Sequence, residues 1–368
     1  MSGDATILFG VRLPCAGVLA SPGAMLRVAL EAEELGYDSV WVHDYLIWNR
    51  TLDQVHLSCG SREAVDAAGD DYPPLFFESL TNLAFLAGAT KRIRLGTAVL
   101  VLPYRQAILT AKQVACIDVL SAGRLELGIA QGTPKSTLNE DFEVLGISRA
   151  EKVRRMRETF EAMRRIWTED APSFDGNFVS FPAATVYPKP LQKPYPRIWI
   201  GGSTDRSLNM VADYATGWIT SAIPPERLPA AIDSLNSRLL DRGRQPSEMT
   251  VATEIEVSVA DTTDEARSQA ALTLTTLYEH YSAVPAHEEL QDQVDTDVLE
   301  QAWATSLVGS PTDVRAEVER YIDAGCTAFE LKFIYHSIDH MIAQMRQFAQ
   351  GVMNPVRYRE PAQTRSTS

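Results

Sequence analysis

The chain has 368 residues, of which 45% are hydrophobic and 22% charged, an ordinary composition for a globular protein. Its net charge of −14 leaves no basic surface for a phosphate backbone, so we expect no nucleic-acid partner. No stretch approaches the roughly 18 uninterrupted apolar residues of a membrane span, and the N-terminus lacks a signal-peptide pattern. The four cysteines match no metal or disulfide spacing. We therefore expect no membrane segment and a cytoplasmic location with reduced thiols.

Short apolar runs alternate along the chain with segments of helical spacing. The predicted strands are residues 7–13, 39–42, 93–102, 125–130, 197–200, 218–221, 251–260 and 328–333. The predicted helices are residues 25–35, 75–87, 106–120, 150–167, 205–215, 226–242, 264–281, 312–324 and 338–350. Strand–helix alternation favours a parallel sheet. About eight strands, apolar on both faces, favour closure into an α/β protein of the (β/α)8 TIM-barrel type with loop insertions at its C-terminal face.

The domain organisation follows from the same pattern. No internal repeat and no low-complexity linker divides the chain. We expect one barrel domain over residues 1–355 and a short disordered tail over residues 356–368.

Titratable residues follow the second predicted strand, at the end of the barrel where the active sites of this fold lie. His43, Asp44 and Tyr45 stand there, and we predict that they are catalytic. The alternative is that Asp44 caps a turn and that His43 packs sideways. A long polar stretch, residues 49–74, comes next, and a loop of that length is usually functional or disordered.

Small residues and glycines mark two further strands. Gly96, Thr97 and Ala98 interrupt the third, which indicates a bulge, a close approach to a ligand or tight packing of the barrel core. The fourth opens into a loop at Gln131. Arg124 and Glu126 stand near the beginning of the fourth strand, so we predict that they stabilise the bottom of the barrel.

Two glycines and two hydroxyl residues directly precede the predicted helix at residue 205. Gly201, Gly202, Ser203 and Thr204 form a turn whose unpaired backbone N–H groups are suited to a phosphate group. Capping of the helix by Ser203 or Thr204 is the alternative. The pattern alone does not separate the two interpretations.

Other candidate sites carry weaker signals. His336 and His340 flank Asp339, which fits metal ligation, but a solvated pair at a helix start is the interpretation that we favour, so no metal is predicted. Glu140 and Asp141 are assigned to an ordinary surface turn. The chain contains no G-x-G-x-x-G, G-x-x-x-x-G-K-[ST], H-E-x-x-H or G-x-S-x-G motif, so no dinucleotide or nucleoside triphosphate site is expected.

Together these segments resemble the luciferase-like oxidoreductase family, which includes bacterial luciferase, flavin-dependent monooxygenases and deazaflavin (F420) dehydrogenases. The similarity is collinear over residues 8–333. It rests on AEELGYDSVWVHD (32–44), on a central block (83–132) that ends in GRLELGIAQG, on PRIWIGGSTDRSLNMVADYATGWI (196–219) and on VGSPTDVRAEVERYIDAGCTAFEL (308–331).

The resemblance implies an enzyme that holds a flavin-type ring in the mouth of its barrel. It implies a cis peptide bond between Ala98 and Val99, in a bulge that supports one face of the ring. It also implies that the cofactor phosphate lies at the turn 201–204, with Gln131 nearby, and that the chain forms a homodimer through barrel helices.

The chain departs from the family's pattern at two of these positions. Tyr45 stands where many members have a histidine directly after the acid of the second strand, which keeps a non-catalytic, flavin-binding relative open as an interpretation. Gln131 stands where FMN-type members often have an arginine for the phosphate, which weakens the case for FMN.

Three functions are consistent with the resemblance. The first is a monooxygenase that uses reduced FMN from a separate flavin reductase, because the chain has no nicotinamide motif of its own. The second is F420-dependent hydride transfer, with a deazaflavin reductase as partner, and the third is flavin binding without catalysis. The mouth residues His43, Tyr45, Trp48 and Tyr104 predict a small, partly apolar organic substrate, with residues 49–74 and 278–289 as lids.

Overall fold

The computed structural model describes residues 6–47, 75–132, 140–282 and 298–358. Trp48, the first predicted lid, residues 283–289 of the second and the chain from residue 359 onwards lie outside these ranges.

The described residues form twelve β-strands, which we number in chain order. They are β1 (Leu8–Arg12), β2 (Ser39–Val42), β3 (Arg94–Thr97), β4 (Leu100–Val101), β5 (Leu125–Ala130), β6 (Phe174–Asp175), β7 (Ser180–Phe181), β8 (Arg197–Gly201), β9 (Gly217–Ser221), β10 (Thr250–Val259), β11 (Leu307–Gly309) and β12 (Ala328–Phe333). β1 pairs with both β2 and β12, and β10 pairs with both β9 and β12, so eight parallel strands close a ring in the order β1-β2-β3-β5-β8-β9-β10-β12. The predicted (β/α)8 barrel is confirmed.

Helices cover the outside of the barrel. Their bounds are Pro22–Leu35, Ser79–Ala89, Ala107–Leu120, Asp141–Val144, Lys152–Thr168, Asp205–Tyr214, Leu228–Asp241, Thr263–Ser282, Val298–Ala304, Pro311–Asp323, Ile338–Phe348 and Asn354–Arg357. The first begins after Ser21, whose hydroxyl accepts from the N–H of Ala24 at 3.0 Å, and ends at Gly36 with φ 83°. Both termini therefore follow the usual capping chemistry. No helix of the described residues is long and apolar enough to cross a membrane.

The predicted strand 93–102 is interrupted in the structure. A cis peptide bond joins Ala98 to Val99 between β3 and β4, as the resemblance implied, and a 3-10 turn follows at Leu102–Tyr104. Ala98 N donates to Val42 O at 2.8 Å, and Thr97 Oγ1 donates to Gly128 O at 2.7 Å. Gly128 is needed on β5 because a Cβ there would overlap the carbonyl oxygen of Thr97.

Two tryptophans fill the middle of the barrel. Trp41 from β2 and Trp199 from β8 meet edge to face, with ring centroids 5.5 Å apart. Their volume is accommodated because Gly10, Gly96 and Gly217 face them without side chains. The lumen is therefore packed below the mouth, as is usual for this fold.

Arg124 and Glu126 lie at the bottom of the barrel, as predicted. Arg124 donates to Ala87 O at 3.0 Å and to Thr90 O at 3.1 Å, which satisfies carbonyls at the C-terminal end of the helix Ser79–Ala89. Glu126 is buried in the lumen, pairs with Arg94 and accepts from the indole of Trp199 at 2.5 Å. Neither residue reaches the mouth.

The C-terminal helix is anchored against the N-terminal strand region. Arg357 donates to Gly36 O at 2.8 Å and pairs with Asp38. The helix Asn354–Arg357, which includes the first two residues of the predicted tail, is thus tied to the residues around β1 and β2.

Candidate active site

The predicted cofactor residues lie on neighbouring strands at one edge of the barrel mouth. Ala98 and Val99 connect β3 to β4, Gln131 directly follows β5, and the turn 201–204 follows β8. Since β4 and β8 both pair with β5, these three segments are adjacent. Val99 Cγ1 lies 3.7 Å from the position that a Cβ on Gly201 would occupy. The tertiary structure therefore places the predicted bulge and the predicted phosphate turn side by side.

Asp44 is buried beside this edge and is held by three groups. Its carboxylate accepts from Val101 N at 2.9 Å and from Ser79 Oγ at 2.8 Å, and it pairs with Arg105. Burial raises the pKa of the Asp44 carboxyl, whereas the Arg105 charge and the two hydrogen bonds oppose that rise. The carboxylate links the end of β2 to the backbone that follows the cis peptide bond. This arrangement resembles neither a turn cap nor a carboxylate presented to the mouth.

His43 and Tyr45 form an aromatic group with Phe76. The His43 ring centroid lies 5.2 Å from that of Phe76 and 6.0 Å from that of Tyr45. Cys15 Sγ lies 3.7 Å from His43 Nδ1. Both His43 and Tyr45 are half-buried.

The phenol of Tyr45 is held in its protonated form. Burial raises its pKa well above the ordinary tyrosine value, and the negative charge of Glu254 raises it further. Arg12 and Lys332 oppose this effect, whereas Asp141 adds to it. Tyr45 is thus a hydrogen-bond donor, not a base, at neutral pH.

A chain of ion pairs crosses the lumen below Tyr45, and the sequence analysis missed it. Arg12 binds Glu330 with two hydrogen bonds, of 2.6 and 2.9 Å, and lies 3.4 Å from Glu254. Lys332 Nζ lies 2.8 Å from Glu254 and 2.5 Å from Glu256. Burial raises the pKa of Glu330. Three carboxylates and two cations give this luminal chain a formal charge of −1.

The sequence does contain a signal for the luminal chain. Glu254 and Glu256 alternate with apolar residues on β10, and Glu330 and Lys332 do so on β12. Alternation places all four side chains on the lumen side, since successive side chains of a strand point to opposite faces. Charges at this spacing in an otherwise apolar strand indicate a polar barrel interior.

Asp141 is buried, so its assignment to an ordinary surface turn was wrong. It accepts from Ile47 N at 2.8 Å and from Leu46 N at 3.3 Å. Tyr104, which packs its ring 4.8 Å from that of Phe142, also donates to it. A short acidic segment in a loop gives no sequence signal for such long-range contacts. The Asp141 carboxylate therefore binds both the segment 46–47 and Tyr104, and it holds these two segments next to its own at the mouth.

The turn 201–204 caps a helix and leaves part of its backbone exposed. Thr204 is the N-cap of the helix Asp205–Tyr214 and accepts from Ser207 N, so the capping interpretation is confirmed for Thr204. Gly202 has φ 105°, a conformation that favours glycine. Gly202 and Thr204 are exposed, and Asp205 beside them is paired with Arg238 at 2.5 Å. The helix N-terminus is therefore open to an anion without an uncompensated neighbouring carboxylate.

A lysine stands next to Gln131 at the end of β5. Lys152 Nζ donates to Gly132 O at 3.1 Å. Burial lowers the pKa of Lys152, and the nearby charge of Arg149 lowers it further. Gln131 itself is half-buried.

The two histidines near the C-terminus form a stacked pair. The rings of His336 and His340 lie 4.1 Å apart, and burial together with His336 lowers the pKa of His340 to about 4. His340 is half-buried, so the expectation of a solvated pair holds only for His336, which is exposed. Among the described residues, no group of three or more potential ligands is placed to hold a metal ion.

Comparisons with known proteins identify the family of the chain. The profile of the luciferase-like monooxygenase family matches residues 6–328. The FMNH2-dependent dimethylsulfone monooxygenase of Pseudomonas putida is 32% identical over 194 residues, which are 52% of this chain and 51% of that protein, about half its length. The F420-dependent glucose-6-phosphate dehydrogenase of Kineococcus radiotolerans is 28% identical over 320 residues, which are 83% of this chain and 86% of that protein.

Solved structures share the fold. The monooxygenase RslO1 from Streptomyces bottropensis has a TM-score of 0.74 at 23% identity and covers 95% of this chain and 100% of its own. An F420-dependent secondary alcohol dehydrogenase has a TM-score of 0.73 at 19% identity, and the match covers 95% of this chain and 98% of the dehydrogenase chain. At these identities the likeness shows the barrel fold.

Proposed function

Because the chain belongs to the luciferase-like monooxygenase family, we propose that it is a monooxygenase that binds reduced FMN and oxidises a small organic substrate. The observation that carries the proposal is the proximity of the bulge at Ala98–Val99 to the turn 201–204, on strands that both pair with β5. A ring supported by the bulge and a phosphate at the turn would belong to one bound molecule.

The residues at this edge fit such a cofactor. The bulge offers small, half-buried or buried apolar side chains to a flat ring. The turn offers the first N–H groups of the helix Asp205–Tyr214 and the hydroxyl of Ser203 to a phosphate. Reduced flavin, when bound, supplies the electrons for oxygen chemistry.

Side chains of the protein would donate a proton to the substrate and exclude water from the site. Tyr45 keeps its phenolic proton and would donate it to an oxygen atom of the substrate. His43 and Phe76 form an apolar wall beside it that would exclude water. We assign Asp44 a positioning role instead of contact with substrate, because its carboxylate is buried and held by Val101, Ser79 and Arg105.

F420-dependent hydride transfer is the second candidate function. The relative from Kineococcus radiotolerans matches 83% of this chain, against 52% for the relative from Pseudomonas putida. Gln131, which carries no charge, favours the same alternative. A protein that binds flavin without catalysis is the third candidate, and substrate-dependent turnover with either reduced cofactor would exclude it.

Anaerobic titration of the cofactor-free protein with FMN and, separately, with F420 tests the first two functions. We expect FMN to bind with micromolar or tighter affinity, followed by flavin fluorescence, and F420 to bind more weakly. The variant Gln131→Arg should strengthen FMN binding if the residue adjoins the phosphate. Tight binding of F420 alone would overturn the FMN proposal.

The partners of the protein are part of the proposal. A separate reductase would supply the reduced cofactor, since the sequence has no nicotinamide motif.

We also propose a homodimer through the helices Ser79–Ala89 and Ala107–Leu120, because Phe85, Leu109 and Leu120 are exposed on them. Sedimentation of Leu109→Lys as a monomer, beside a dimeric parent protein, would support this interface, and an unchanged dimer would contradict it. A cytoplasmic location agrees with the thiols of Cys116 and Cys326.

A further inference from the structure

We propose that Arg105 is a positioning residue for the cofactor platform, which we define as residues 98–101. The inference rests on the proposed function, since the platform is the segment assigned to the face of the cofactor ring. Arg105 lies beyond the platform in sequence, is almost fully buried, and was not among the residues that sequence reasoning selected.

Arg105 joins two carboxylates on different elements. Its Nη2 pairs with Asp44 Oδ1, which follows β2, and its Nη1 lies 2.6 Å from Glu78 Oε1. Glu78 is the N-cap of the helix Ser79–Ala89, and its Oε2 accepts from Thr81 N at 2.7 Å. One guanidinium therefore ties the end of β2 to the beginning of a helix.

Asp44 connects Arg105 to the platform. Its second oxygen, Oδ2, accepts from Val101 N at 2.9 Å. Ala98 N is bound at the other end of the platform to Val42 O, also from β2, at 2.8 Å. The platform is thus held at both ends by the β2 segment, and at Val101 the hold depends on the orientation of the Asp44 side chain.

An arginine suits this position better than a lysine does. The planar guanidinium presents parallel pairs of N–H groups and can face two carboxylates at once, whereas a lysine ammonium is a point charge. Without the cation, Asp44 and Glu78 would be two close carboxylates, one of them buried. Asp44 would then turn away or take up a proton, and the hydrogen bond from Val101 N would weaken.

Arg124 provides a matched control, because it binds the opposite end of the same helix. It donates to Ala87 O and Thr90 O at the bottom of the barrel, far along the helix from Glu78. Arg124→Met should therefore destabilise the same helix without disturbing the platform. A purely structural role of Arg105 would make Arg105→Met behave like this control.

The first measurement is hydrogen exchange of the cofactor-free protein, which needs no bound ligand. In Arg105→Met we expect amide exchange of peptides covering residues 97–104 to accelerate roughly tenfold or more, and in Arg124→Met we expect it to stay unchanged there. In the milder variant Arg105→Lys, the exchange rate should lie between those of the parent protein and Arg105→Met. This variant replaces Arg105→Met in the measurement if the methionine variant does not fold. Equal exchange at residues 97–104 in Arg105→Lys and the parent protein would overturn the proposal.

The second measurement is the dissociation constant for FMN and for F420, at a temperature where all variants are folded. For the cofactor that the parent protein binds, we expect Arg105→Met to raise the dissociation constant by about tenfold to a hundredfold. Arg124→Met should change that constant by less than about twofold. Equal weakening by Arg105→Met and Arg124→Met would overturn the positioning role. Failure of the parent protein to bind either cofactor would instead overturn the proposed function, while the exchange result would still test the hold on the platform.

Discussion

Val99 and Gly201 adjoin each other across β5, since Val99 Cγ1 lies 3.7 Å from the point where a Cβ of Gly201 would stand. More than 100 residues separate them in the chain. Their proximity places a segment assigned to the cofactor ring beside a turn assigned to its phosphate. The two segments were suggested independently, one by small residues in a strand and the other by glycines before a helix.

The phosphate turn can be tested by Gly202→Val. At φ 105° a branched side chain is strained, and its Cβ would stand 2.8 Å from Ser207 Oγ. We expect FMN to bind about tenfold or more weakly, and riboflavin, which lacks the phosphate, to bind nearly as it does to the parent protein. Gly36→Val is the control, because Gly36 also has positive φ but lies away from the mouth with open space around it. Equal losses for FMN and riboflavin would contradict our placement of the phosphate.

Tyr45→Phe tests proton donation at the mouth. Removal of a general acid commonly costs about 10²- to 10⁴-fold in kcat, and we expect a loss in that range with cofactor affinity retained. Because the pKa of Tyr45 is raised, the protonated and active form persists as pH rises, so the parent protein should show no alkaline loss from this group up to about pH 10. The measurement is the pH profile of kcat. A parent profile that falls between pH 7 and 9 and a flat profile in Tyr45→Phe would refute the assignment of Tyr45 as a protonated donor.

Lys332→Met tests the luminal chain. The substitution leaves Glu254 and Glu256 without their shared cation in the lumen, and breaking a buried pair in this way typically costs about 3–5 kcal/mol. Arg346→Met is the control, because Arg346 pairs with Glu31 on the surface, where such a pair contributes little to stability. Denaturant unfolding measures both. Similar losses in the two variants would show that the luminal chain contributes no more than a surface pair.

His340→Gln tests the stacked histidine pair through pH. The pKa of His340 is lowered to about 4 in the folded chain, below the ordinary histidine value of about 6.5. The unfolded chain binds more protons between these values, so stability is complete above about pH 6.5 and declines as pH falls towards 4. His340 is half-buried, so we expect this decline to be on the order of 1 kcal/mol. Unfolding free energies at pH 7 and pH 5 should show a smaller acid loss in the variant, and an equal loss in both proteins would contradict the lowered pKa.

Several features of the fold were predictable because they depend on local periodicity. The strands at residues 39–42, 125–130 and 328–333 have the predicted bounds, since each is a short apolar run between helical segments. The bottom positions of Arg124 and Glu126 were predictable too, because side chains near the beginning of a barrel strand cannot reach the opposite end. Over residues 93–102 the predicted strand is divided into β3 and β4 at the cis peptide bond, which periodicity does not encode and which only the family resemblance implied.

The candidate site was predicted in outline, and its supporting contacts were not. Asp44 was selected for its position after a strand, but its partners Arg105 and Ser79 come from separate elements. Asp141 was assigned to the surface because the segment before Phe142 resembles an ordinary surface turn. A carboxylate's burial depends on which distant N–H groups reach it, and spacing along one chain does not contain that information.

The sequence by itself determined the alternation of strands and helices, and hence the barrel and the end of it that carries the site. Those properties arise from side-chain periodicity and from the chirality of strand–helix units, which act over short lengths of chain. Only the tertiary structure decided that Val99 adjoins Gly201, that Arg105 holds Asp44, and that five charged residues meet in the lumen below Tyr45. Those contacts follow from closure of the barrel, which brings residues far apart in sequence to within hydrogen-bonding distance and removes the water that would otherwise screen their charges.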